Sequence, residues 1–134
     1  MVLRMATFQS FVEIDAWQKA RELTSQVYAI SNRPSFSKDF GLRDQVRRAS
    51  VSIMANIAEG FERSGSGEFL QFLAIAKGSV GEVISHIYVT VDQGYISQEE
   101  FDRLHALAGE TGRVIGGLMT YLRKSGIKGA KYKH

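Results

Sequence analysis

The chain has 134 residues, 44% hydrophobic and 23% charged, which fits one globular domain rather than two. It has no cysteine, so a disulfide framework and a thiolate metal site are excluded and a reducing compartment is indicated. The formal net charge of +3 is mildly basic, permitting nucleic-acid contact without demanding it.

The opening residues, Met1 to Met5, lack the apolar stretch and cleavage site of a secretory signal. No run approaches the roughly 20 apolar residues of a membrane span. The expectation is a cytoplasmic protein without a membrane partner. Met1 and Met5 are both candidate starts. Residues 1–134 are read as one domain, with 1–14 an extended lead-in and 125–134 a basic, flexible tail.

Asp15 is expected to cap a first helix that runs to about Asn32, with Trp17, Ala20, Leu23, Val27 and Tyr28 at helical spacing. Pro34 stops it, since the residue before proline leaves the α region. Ser35 to Asp39 reads as a polar linker. A second helix runs from about Phe40 to Gly60, which serves as its terminator, and the residues from Arg63 to Gly67 read as a loop. A third runs from about Ser66 to Gln93, with Phe69, Leu73, Ala76, Val80, Ile84, Ile87 and Val91 as its seam, and Gly94 closes it. Ser97 and Glu100 have the spacing of a capping box, opening a fourth helix to about Lys124. Gly126 ends this helix and a lysine-rich tail follows. Four amphipathic segments with short connections predict an all-α, antiparallel up-and-down four-helix bundle.

The second predicted helix is apolar on two faces. Ala49, Ile53, Asn56 and Ile57 share one side, and Val51, Met54 and Ala58 lie opposite. A surface helix needs only one apolar stripe, and a bundle this small cannot enclose both. Val51, Met54 and Ala58 are therefore expected to meet another subunit, making a homo-oligomer. Asn56 falls on the core face, where an unpaired amide would cost roughly 1–3 kcal/mol. Antiparallel pairing brings Arg47 or Arg48 toward Glu82, and Glu59 toward Arg63, so Asn56, Glu59 and Glu82 read as a structural polar motif. Gly78, Gly81, Gly109, Gly112, Gly116 and Gly117 sit inside predicted helices, where each costs up to about 1 kcal/mol relative to alanine, and close helix approach is the expected reason.

Catalytic chemistry finds no support. The paired Glu-x-x-His motifs of a di-iron bundle are missing, Glu82 and His86 have no second pair, and no serine–histidine–carboxylate trio stands out. No metal, no cofactor and no catalytic residue is assigned. The cations Arg43, Arg47, Arg48, Arg63, Arg123, Lys124, Lys128 and Lys131 are the candidate nucleic-acid contacts, because repeated basic patches on an oligomer bind phosphate backbones without sequence preference. The other reading of the same surface is a protein–protein adaptor, its partner a nucleic-acid-processing protein.

The stretch from Gly41 to Phe61, with Gln45, Arg47-Arg48-Ala49 and Asn56-Ile57-Ala58-Glu59-Gly60-Phe61, resembles the bacterial four-helix-bundle family. That family is also called the 23S rRNA intervening-sequence or S23 family. The likeness continues through Phe69, Phe72-Leu73, Ile75-Ala76, Gly78-Ser79 and Glu82, through Gly94-Tyr95-Ile96, and upstream at Trp17-Gln18 and Ala20. It implies an antiparallel four-helix bundle assembled into ring-like pentamers, with no established biochemical role. A group similar in fold, the accessory variability proteins of diversity-generating retroelements, forms basic pentameric barrels that bind nucleic acid and a reverse transcriptase. That likeness implies RNA or DNA as a partner here by analogy of fold.

Overall fold

The computed structural model describes residues 8–63 and 65–125. A 3-10 turn at Phe11–Glu13 precedes five helices: α1 (Asp15–Ser31), α2 (Pro34–Ser37), α3 (Phe40–Glu62), α4 (Ser66–Asp92) and α5 (Gln98–Ser125). Among the described residues there is no strand. The four long helices pack in the cyclic order α1, α3, α4, α5, with α5 closing back on α1. Short turns join successive long helices, so neighbours run antiparallel, as the spacing predicts. Leu23, Val27, Ile53, Ile57, Leu73, Ile87 and Ile115 are fully buried at the centre.

The helix ends show why the chain turns where it does. Asp39 caps α3, its carboxylate accepting from the Leu42 N–H at 3.2 Å. Gly94 sits at φ +76°, and the N–H groups of Tyr95 and Gly94 bond the carbonyls of Thr90 and Val91 at 3.1 and 3.0 Å, closing α4 in a Schellman motif. Ser97 and Glu100 form the expected capping box: the Ser97 N–H donates to Glu100 at 2.8 Å and the Glu100 N–H to Ser97 Oγ at 3.1 Å.

Five expectations are corrected, the last of them the linker before α3. Asp15 is the first residue of α1 and not its cap; Ile14 holds that position with no side-chain bond, and the Asp15 charge instead favours the helix N-terminus by its sign. The lead-in is not wholly extended, since Ser10 caps the 3-10 turn at Phe11–Glu13; residues 1–7 lie outside the described residues. Gly60 lies inside α3, which continues to Glu62. Glycines do not mark close helix approach in general. Gly78, Gly81 and Gly117 face open space, whereas a Cβ at Gly112 would stand 3.5 Å from Val80, one at Gly116 3.7 Å from Lys77 Nζ, and the tightest approach is at Gly60, which was expected only as a terminator.

The segment expected to be a polar linker is α2, and it straps one end of the bundle. Pro34 starts the turn, a position that needs no N–H. Phe36 is completely buried and stacks on Tyr95 with ring centroids 5.1 Å apart. The Tyr95 hydroxyl donates to Asp39 at 2.9 Å. Arg33 donates through both terminal nitrogens to the two carboxylate oxygens of Glu100. The Arg33 bond, joined by the Ser97 N–H, lowers the Glu100 pKa from 4.5 to about 2. Because the folded value lies below the ordinary one, this stabilisation is complete above pH 4.5 and disappears as the pH falls toward 2. Glu100→Gln is expected to lower stability at neutral pH by about 1 kcal/mol. It should also lose less than the wild type between pH 4.5 and 2; urea titrations at several pH values measure both.

Candidate functional site

The arginines at the start of α3 take unequal roles. Arg43 donates to Asp44 at 2.9 Å and to the Ser37 carbonyl at 3.2 Å, with its guanidinium 4.9 Å from the Phe40 ring. Arg47 donates to Ser31 Oγ at 2.7 Å and Asn32 Oδ1 at 3.1 Å, and lies 4.6 Å over the Tyr28 ring. The expected contact of Arg47 or Arg48 with Glu82 is therefore corrected. Arg47 points to the end of α1, on the side of α3 away from α4, where the buried Ser31 supplies an acceptor. Arg48 is exposed and, among the described residues, has no hydrogen bond or ion pair. Tyr28, Asp44, Arg47, Arg48 and Val51 line an open groove between α1 and α3.

The other candidate cations stand at the opposite end. Arg63 pairs with Glu59 at 2.9 Å and Glu68 at 3.8 Å and covers the Phe72 ring at 5.2 Å. Arg123 and Lys124 are exposed in the last turn of α5. Since α3 runs the length of the bundle between Arg43 and its C-cap Arg63, the candidates form two separate groups. Lys128 and Lys131 lie outside the described residues. Thirteen basic and fourteen acidic side chains fall between residues 8 and 125, so the positive excess of the chain belongs to Arg4, Lys128, Lys131 and Lys133.

The polar seam between α3 and α4 runs through serines that the residue pattern did not single out. Ser52 Oγ and Ser79 Oγ lie 2.9 Å apart across the two helices. Asn56 is half-buried and donates back to the Ser52 carbonyl at 2.8 Å and to Ser52 Oγ at 3.0 Å. Asn56 thus orients Ser52 within α3, and the link between helices is hydroxyl to hydroxyl. Glu59 bonds Arg63 as expected, whereas Glu82 is exposed with no hydrogen bond or ion pair among the described residues.

The apolar surplus also falls elsewhere than expected. Of the three interface candidates, Val51 is 41% exposed, but Met54 and Ala58 are half-buried, and Met54 packs against the core. The larger uncovered apolar surface belongs to α4, where Ile75, Tyr88 and Val89 are 53%, 50% and 42% exposed. By length and composition alone α4 is apolar enough to cross a membrane, with mean hydropathy 1.2 over its most apolar 18 residues. Gly78 and Gly81 on the same side leave its backbone open.

Among the described residues no group of three or more His, Asp and Glu side chains is placed to hold a metal ion. His105 packs in an aromatic cluster with Tyr88 and Phe101, at centroid distances of 5.8 and 5.5 Å.

Comparison with known proteins places this bundle. The pattern of the family described as 23S rRNA-intervening sequence protein matches residues 12–117. The chain belongs to this family. Among solved structures it is similar to a protein of unknown function from the S23 ribosomal protein family of Bacteroides thetaiotaomicron. The two share 20% identity and a TM-score of 0.71 over 78% of this chain and 97% of that one. At that identity the likeness shows the fold. No curated protein matches the chain. The span matched to the 23S rRNA-intervening sequence family takes in the α1–α3 groove and the outward face of α4, and stops short of Arg123 and Lys124.

Proposed function

We propose that this member of the 23S rRNA-intervening sequence family is a non-catalytic scaffold of the reducing cytoplasm that assembles with copies of itself. The outward face of α4 carries this reading. Ile75 and Val89 stand about four turns apart on one side of a single helix with the open Gly78 and Gly81 between them, and Tyr88 lies at the edge of that side, against Phe101 and His105 of α5. Large apolar side chains grouped on one helix face and left in water mark a contact surface. Light scattering across micromolar concentrations tests it: the expected mass is a multiple of 14.9 kDa, and a single 14.9 kDa species throughout refutes it.

Nucleic-acid contact is a second reading, supported by Arg123 and Lys124, which are exposed at the end of α5 and precede Lys128, Lys131 and Lys133 in the chain. Assembly would multiply this cluster by the number of copies. The expected result is binding to short RNA and DNA that weakens steeply with salt. Arg123→Ala with Lys124→Ala should reduce the slope of log affinity against log salt by about 1.4–1.8 per copy engaged. No binding at low salt would favour an adaptor that meets a nucleic-acid-processing protein instead.

A further inference from the structure

The groove between α1 and α3 and the outward ridge of α4 are complementary in charge. Asp44 is already engaged by Arg43, and Arg47 is held by Ser31 and Asn32. The groove is thus left with one uncompensated cation, Arg48, beside Val51 and Tyr28, each 41% exposed. The ridge carries the opposite arrangement. Between Ile75 and Val89 its only carboxylate is Glu82, exposed and without an ion pair among the described residues; the one lysine of that span, Lys77, lies on the α5 side beside Gly116. Gly78 and Gly81 flank it with open backbone that lets another chain approach closely.

We infer that the α1–α3 groove of one copy receives α4 of a second copy, with Glu82 seated against Arg48. This rests on the self-assembly reading above and adds which surfaces meet. Desolvating Ile75 and Val89 against Val51 and Tyr28 supplies the apolar part of the contact. The unpaired acid of α4 meeting the unpaired base of the groove sets its register, since misaligned or like charges are penalised there. Groove and ridge are different surfaces of one copy, so the contact is head-to-tail and leads to a ring or a filament according to the rotation between copies.

Charge exchange tests the pairing. Arg48→Glu, Glu82→Arg and the double variant are compared with the wild type by sedimentation, with circular-dichroism melts to check the fold. Neither side chain is bonded within the described chain, so the melts should stay close to the wild type. Each single exchange is expected to raise the dissociation constant at least about tenfold. The double exchange should return it to within about threefold of the wild type. Single exchanges without effect on an assembling protein overturn the pairing and leave self-assembly standing. Loss in the single variants with no recovery in the double also overturns the pairing. A wild type that stays monomeric overturns both readings, and its binding to neutral lipid vesicles would identify a lipid surface as what covers α4.

Discussion

Phe36→Ala is expected to cost about 3–5 kcal/mol, the range for emptying an aromatic-sized site in a packed interior. Phe36 has no exposed surface, although its helix is only the four residues Pro34–Ser37. Its ring stacks on Tyr95, which follows the Gly94 turn, so truncation opens a cavity beneath the strap. The strap itself is held by Arg33 on Glu100 and by Tyr95 on Asp39. These polar ties are worth less than the ring. Tyr95→Phe keeps the stack and removes the hydroxyl bond, for an expected loss of about 1 kcal/mol. Urea denaturation of the two variants separates the contributions. A Phe36→Ala loss below about 1 kcal/mol would mean that α2 covers the bundle end without supporting it.

That residue also shows where the sequence stops being legible. The four long helices are readable because their apolar residues recur every three or four positions over many turns, and the packed core enforces that period. The capping box at Ser97 and Glu100 and the glycine turn at Gly94 are readable because each needs particular residue types at fixed spacing. A single turn has no period. Pro34 followed two residues later by Phe36 was the available signal, and the flanking serines concealed it. The arginines fail for another reason: Arg47 and Arg48 are adjacent, about 100° apart around α3. Which of them reaches α1 depends on the position of α1, and no spacing within α3 encodes it. Likewise the apolar content of α3 pointed to an outer face there, but Met54 packs against the core, Val51 alone of the three stays exposed, and more apolar surface is left open on α4. The candidate cations divide between the two ends of the bundle, and ion pairs with Asp44, Glu59 and Glu68 already engage Arg43 and Arg63, which no residue spacing reports in full.

Glycine separates what composition conveys from what packing conveys, and one substitution at two sites makes the difference measurable. A Cβ at Gly60 would stand 2.7 Å from the Phe72 Cβ and 3.0 Å from Phe69 Cδ1. The first of these is fixed to the α4 backbone, so no rotamer change relieves it and the two helices must separate. Gly60→Ala is therefore expected to destabilise the bundle by about 2 kcal/mol, after the gain in helix propensity is included. For a chain of this size that lowers the melting midpoint by roughly 5–10 °C. Gly117, also inside a helix, has nothing within 4 Å of the same virtual atom. Gly117→Ala should stabilise by about 0.5–1 kcal/mol, because the unfolded chain loses freedom and nothing is displaced in the folded one. Opposite signs in paired thermal melts would identify Gly60 as the point where α3 and α4 approach most closely. Stabilisation at both sites would mean that the helices yield at Gly60 with little strain. In that case the Ser52–Ser79 contact, two turns away, and not the glycine, sets how α3 and α4 align.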